Sequence, residues 1–265
     1  YDIDIISLPW GVCPMDALEA DNLEHQEINK RIARSAINKQ PDVFIQISVP
    51  NEFQAHGKYN IGITAGIETD LVSSEFLQGC NKMDLILTTS EHSKSGFLNS
   101  KFDKLNKDTK QKEGELQLDK AIEVLFEGAD TNVYKKLDKI QDTVSTELKD
   151  IKDDFCYLFV GHWLKGNIGQ DRKDVGMMIK TFCEAFKRKS SRNRPGLILK
   201  TQQVGTSIMD REEVLRRINH LRDQVKGTLP NIYLFHGEVS DDEINEFYNH
   251  PKVKAMVSHT KGEGF

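Results

Sequence analysis

The sequence predicts a doubly wound α/β fold divided between two domains. Three observations carry this. Short apolar runs alternate with helical patterns, most runs are continuous, and one long charged segment interrupts the rhythm. A continuous apolar run suits a parallel strand covered on both faces, whereas strict alternation suits a sheet with one wet face. Alternating strands and helices then imply helices packed on the faces of a parallel sheet.

The candidate strands, in order, are 3–8 (IDIISL), 42–49 (DVFIQISV), 59–64 (YNIGIT), 84–90 (DLILTTS) and 121–126 (AIEVLF). Four more follow at 157–161 (YLFVG), 197–201 (LILKT), 232–237 (IYLFHG) and 255–260 (AMVSHT). Between them, apolar residues recur at helical spacing. Ile28, Ile32 and Ala36 form one stripe, and Val175, Met178, Ile179, Phe182 and Phe186 a clearer one. Val214, Leu215, Ile218, Leu221 and Val225 form a third. Asp210 with Glu213 and Ser240 with Glu243 fit the capping pattern, in which a side chain satisfies open N–H groups of the first turn. Ser90 reads as a helix cap too, since no nucleophile elbow surrounds it.

The interruption spans 135–154 (KKLDKIQDTVSTELKDIKDD), which is highly charged and lacks a good apolar stripe. It reads as the connection between an N-terminal domain, 1–134, and a C-terminal domain, 155–265. A second polar stretch, 104–120, reads as a surface insertion in the first domain.

The chain has 265 residues, enough for a sizeable core, with 38% hydrophobic and 29% charged residues. No apolar run approaches the length needed to cross a bilayer, and a cytoplasmic location is expected. The net charge of −5 gives no general signal for nucleic acid. Cys13, Cys80, Cys156 and Cys183 lack C-x-x-C pairing, so they read as buried free thiols. The chain starts without Met and stops at KGEGF. It therefore reads as a piece of a longer protein, with the second domain incomplete.

In open α/β sheets, ligands bind beyond the carboxyl ends of the strands. Glu68 and Asp70 follow the strand at 59–64, behind Gly66. Glu91, His92 and Lys94 follow the one at 84–90. After 157–161 comes a glycine-containing loop leading into a helix whose first turn carries Arg172 and Lys173. Cations and open N–H groups at a helix start suit a phosphate or diphosphate. The alternative is a solvated helix start. Neither a P-loop nor a dinucleotide fingerprint is present. His92, His162, His236 and His259 lack metal-ligand spacing, so no metal is expected. Glu263 stands between two glycines after the last strand. Glycine lets the backbone approach a ligand closely, and a carboxylate there can accept two sugar hydroxyls. A plain surface turn is the alternative.

Taken in order, these segments resemble the retaining nucleotide-sugar glycosyltransferases of the GT-B fold, in the group called glycosyltransferase family four or group one. The likeness runs through CNKMDLILTTSEHSKSGF, IEVLFEGADTNVY and YLFVGHWLKG…DRKDVGMMIKTFCEAF. It is most specific in NIYLFHGEVSDDEINEFYNHPKVKAMVSHTKGEGF, which is similar to the family's run ending in EGFG. The resemblance implies two Rossmann-like domains facing a cleft, and a chain truncated at the EGFG motif. It implies transfer of a sugar from a nucleotide-diphosphate sugar to an acceptor hydroxyl, with retention and without a metal. Glu263 matches the family Glu that contacts the donor sugar, alongside Gly264 and Phe265. Arg172 and Lys173 match the cations that hold the donor diphosphate, although the family Arg usually lies several residues earlier. Glu68 stands where many members place an acceptor-side catalytic loop, often with His. The implied partner is a nucleotide-sugar donor, with no separate cofactor. The acceptor is open among glycan, lipid, protein and modified nucleobase. A sugar-nucleotide epimerase or a non-catalytic sugar-binding protein would share this fold. With the second half of the Glu motif missing, the chain by itself is expected to be a poor catalyst.

Overall fold

The computed structural model of the chain describes residues 2–8, 18–33, 39–65, 67–106, 108–140, 142–164 and 168–262. The chain divides into two compact units. One is built from 1–64, 73–87 and 101–123, the other from 65–72, 88–100 and 124–265.

The first unit is organised on a four-stranded sheet of β1 (Val43–Ile47), β2 (Tyr59–Thr64), β3 (Leu85–Thr88) and β6 (Ala121–Val124), in the order β1-β2-β3-β6. β1 and β2 pair in parallel, from Val43 opposite Tyr59 to Ile47 opposite Ile63. Glycines permit the packing here. The face of Gly62 lies against the Phe53 ring, and α2 (Ser74–Cys80) brings Gly79 onto the backbone of Pro50 so closely that a Cβ would fall 1.7 Å from its carbonyl oxygen. The segment 3–8 is not a sheet strand. Among the described residues it makes one bridge, Ile5 to Ile32, just after the helix α1 (Leu23–Arg31). Ile28 and Ile32 of the first predicted stripe are exposed, because α1 buries no residue; Ala36 lies outside the described residues. The polar stretch 104–120 contributes to an antiparallel pair, β4 (Phe102–Leu105) with β5 (Lys112–Leu116). Lys110, at φ 59°, sits between these strands.

The second unit carries a four-stranded parallel sheet in the order β10-β7-β8-β9. Its strands are β7 (Cys156–Val160), β8 (Gly196–Lys200), β9 (Ile232–Phe235) and β10 (Val253–Met256). The last strand starts two residues before the predicted 255–260 and stops at Met256, with Val257 N–H donating to Leu158 O at 2.9 Å just beyond it. Helices cover both faces. On one, α5 (Val175–Phe186) buries Val175, Met178, Ile179 and Phe182, and α6 (Ile208–Asp223) buries Val214, Ile218 and Leu221, against Phe159, Leu197 and Leu199. Each fully buried side chain of this size contributes about 1.5–3 kcal/mol. On the other face, α7 (Asp241–Asn249), through Phe247, and α4 (Asp142–Leu148), through Val144 and Leu148, cover Leu158 and Ile198.

α4 corrects one part of the reading of 135–154, its want of an apolar stripe. Val144, Leu148 and Ile151 are buried at spacings of four and three residues, a stripe hidden among lysines and aspartates. Lys252 Nζ then holds the carbonyls of Leu148, Lys149 and Ile151 at 2.7–3.3 Å. Ser240 and Glu243 form the expected capping box on α7, and Ser90 caps α3 (Glu91–Asn99). The cap of α6 is Ser207, three residues before Asp210, because the helix begins earlier than its apolar stripe.

Candidate functional site at the switch point of the second sheet

From β7 the chain steps outward to β8 and β9, then returns across β7 to β10. The order reverses between β7 and β10. Strand-following loops part at such a switch point, and ligands bind in the crevice they leave. Here the described parts of the loops are 161–164 and 168–174 after β7 and 257–262 after β10.

The turn entering α5 reads Asp171-Arg172-Lys173-Asp174, and burial sorts it. Asp171 and Asp174 are buried, Lys173 is half-buried and Arg172 is exposed. Asp174 takes the left-handed conformation at φ 44°, ψ 41°, a region an aspartate tolerates better than most side chains. Its carboxylate accepts the Gly169 N–H at 2.9 Å and makes no capping bond to the first turn of α5. That turn carries amides with no partner inside the helix. Gly169, at φ 79°, permits the sharp approach.

The loop after β10 is tied to this turn. Lys261 N–H donates to Arg172 O at 3.0 Å, and Lys261 Nζ donates to Gly169 O at 2.5 Å. Arg172 Nη1 donates to Gly262 O at 3.3 Å and to Glu68 Oε1 at 2.5 Å. All of these residues belong to the second unit, into which 65–72 is folded. So Glu68 and Arg172, two of the residues picked out in the sequence, are brought together, with Lys173 next in the chain. Glu263, Gly264 and Phe265 lie outside the described residues. Sequence reasoning missed Lys261, although the strand-end rule that selected Arg172 covers the segment TKG equally well.

A second cluster lies where β8 and β9 end. His236 Nε2 meets Asp210 Oδ2 at 2.7 Å, and Asp210 also accepts the Gln203 and Val204 amides. Burial pushes the Asp210 carboxyl up, but the bonds from His236 and the two amides outweigh it and hold it below the usual range. Arg217 bonds Gln203 Oε1 and Trp163 O and lies over the Trp163 ring at 5.6 Å. Lys200 Nζ donates to Gly237 O at 2.6 Å, and burial holds its ammonium below the ordinary value. These contacts fix the loops and the start of α6. His236 is thereby a buried partner of a carboxylate, and His162 Nδ1 meets Gln203 O at 3.2 Å. Among the described residues, no three His, Cys, Asp or Glu side chains come together as a metal site. Cys80, Cys156 and Cys183 are free and buried. Burial pushes the Cys80 thiol up to about 12 and, as its main cause, the Cys156 thiol to about 11, so neither forms a ready nucleophile.

No family model and no curated protein matches the sequence. Solved structures do match the fold. The N-terminal domain of Candida albicans trehalose-6-phosphate phosphatase superposes with a TM-score of 0.52 at 16% identity, over 86% of this chain and 53% of that one. An E. coli trehalose-6-phosphate protein bound with UDP-2-fluoro glucose superposes with a TM-score of 0.53 at 10% identity, over 86% of this chain and 54% of that one. The chain thus spans about half the length of the structures it matches. The fold is α/β with Rossmann-like parallel sheets, of the GT-B type. Among the described residues, no helix is long and apolar enough to cross a membrane.

Proposed function

We propose that the chain belongs to a glycosyltransferase that moves a sugar from a nucleotide-diphosphate sugar to an acceptor hydroxyl, with retention. The observation that carries this reading is the display of Arg172 and Lys173 at the sheet's switch point, with Asp171 and Asp174 turned inward. The leaving diphosphate gains negative charge as the glycosidic bond breaks. Two fixed cations and the first-turn amides of α5 would stabilise that charge without reorganising. Glu263 would hold the donor sugar, with Gly264 and Phe265 beside it, and Glu68 would serve the acceptor side. The GT-B-type fold supports the reading, as does the likeness to a protein bound with a UDP-sugar analogue.

A screen of nucleotide sugars by thermal stabilisation, followed by calorimetry with the matching nucleoside diphosphate, tests it. Lys173→Ala should weaken binding about tenfold, the scale of one charge-assisted hydrogen bond. Arg172→Ala should also weaken it. Unchanged affinity in both variants would remove the diphosphate site. Chelation by EDTA should leave binding intact, and strict dependence on a divalent ion would count against the mechanism.

A further inference from the structure

We propose that Glu68 is the resident anion of Arg172, and that a donor's phosphate must displace it to bind. This rests on the donor-site reading above. The guanidinium and carboxylate meet at 2.5 Å, in a pair between residues 104 apart in sequence. The arginine side of the pair is open and the glutamate side mostly covered, at 52% and 21% exposure. An incoming anion can therefore reach Arg172 from solvent while Glu68 is held from behind.

What holds Glu68 is visible in the backbone. A Cβ on Gly262 would stand 2.6 Å from the Glu68 Cβ, so only glycine allows this approach. Gly262 O accepts from the same Arg172 Nη1 that binds Glu68. The preceding Lys261 clasps the arginine's own turn through two carbonyls, Arg172 O and Gly169 O. Glu68 is thus seated on the strand-following segment that completes the switch-point site. On its other side, Ile67 is buried and its carbonyl accepts the Ser93 hydroxyl at 3.4 Å.

Chemistry makes the exchange natural. Guanidinium binds carboxylate and phosphate through the same planar donors, and a diphosphate carries more charge than a single carboxylate. Glu68 keeps Arg172 compensated and oriented while the site is empty. Donor phosphate takes Arg172, and the freed carboxylate becomes available on the acceptor side. Donor binding would then precede engagement of Glu68 with an acceptor hydroxyl.

The test is calorimetry of UDP and of inorganic pyrophosphate with the full 265-residue chain. Glu68→Gln keeps the shape and removes the charge. It should tighten both ligands about 2- to 5-fold, the range expected for competition by a partly exposed ion pair. In an Arg172→Ala background the same change should have no effect. Asp70→Asn, an equal charge change two residues on, should leave affinity unchanged. Circular dichroism confirms that each variant folds. Equal or weaker binding by Glu68→Gln, in a protein that binds UDP through Lys173, would overturn the exchange and leave the donor site standing. Tightening that persists without Arg172 would overturn it too, as a general charge effect. Failure of both ligands to bind wild type and Glu68→Gln alike would remove the donor-site reading, and the exchange with it.

Discussion

The two four-stranded sheets use their apolar residues in different ways. In β8, Leu197, Ile198 and Leu199 are all fully buried, because α5 and α6 cover one face and α4 and α7 the other. In β1, Val43, Ile45 and Ile47 share one face and are 51%, 54% and 72% exposed. The buried position is Gln46. Its amide donates to Ser48 Oγ and Glu52 O and accepts from the Gln54 N–H, at 2.9–3.0 Å. Gln46 thus organises the loop that presents Phe53, which is fully buried, to the sheet. An apolar run fits a strand, but what covers each face is decided elsewhere in the chain. A polar side chain can occupy the packed face when every bond it needs is met.

The contrast can be broken first in the second sheet. Leu199→Ala should cost about 2–5 kcal/mol, as a cavity in a core that cannot collapse. Urea denaturation followed through the second unit measures it, and a loss below about 1 kcal/mol would mean that β8 is less tightly enclosed than its burial implies.

A smaller effect sharpens the comparison between buried polar groups. Gln46 is neutral and satisfied, whereas Glu246 on α7 is buried with its Oε2 unpartnered. Burial first, then Glu243 and Asp242, push its carboxyl above the ordinary range, although the Val144 amide bonds to it. The folded state therefore holds the Glu246 proton more tightly than the unfolded chain does. This contribution to stability is fully present below the unfolded pKa and is lost as pH rises through the folded one. Asp210 has the opposite sign: its contribution is present above the unfolded pKa and lost as pH falls through the lowered folded one. Glu246→Gln should raise the melting temperature at pH 7, by about 1 kcal/mol of stability, the scale of an unsatisfied buried polar group. The gain should shrink on acidification through the carboxylate range. A gain independent of pH would show that charge at Glu246 is not the cause.

The smallest effect is expected at Ile47→Ala, within about 0.5 kcal/mol, since a largely exposed side chain has little to lose. A loss comparable to that of Leu199→Ala would show that the exposed face of β1 is covered in solution.

Most strands of both four-stranded sheets were legible as compact apolar runs, and in the second sheet their parallel character followed from continuity; β10 (VKAM) is no such run, and the strand expected at 255–260 overlaps it only at Ala255 and Met256. The strand expected at 3–8 has such a run but, among the described residues, pairs only through Ile5, and the adjacent α1 buries no residue. The hairpin of β4 and β5 was hidden because both strands are polar and mostly exposed. α4 was hidden for a related reason: three buried positions among charges fall below any run-based signal. At the candidate site, Arg172 and Lys173 were readable as cations near a helix start, but they precede α5, which begins at Val175, and do not lie in its first turn as expected. The pairing of Arg172 with Glu68 was not readable, because contact across 104 residues depends on chain-distant segments, 65–72 and 124–265, folding into one unit.

The two units are interleaved along the chain, which changes unit at 64/65, 72/73, 87/88, 100/101 and 123/124. Neither can be inherited, exchanged by recombination or excised as one uninterrupted block. During synthesis two pieces of the second unit, 65–72 and 88–100, are made well before the sheet they join, whose first strand begins at Cys156. A protease that cuts any one joint leaves the others still stitching the units together. A nick should therefore reduce the chain's apparent size only after denaturation, and the protein should evolve through its loops more readily than through the trading of halves.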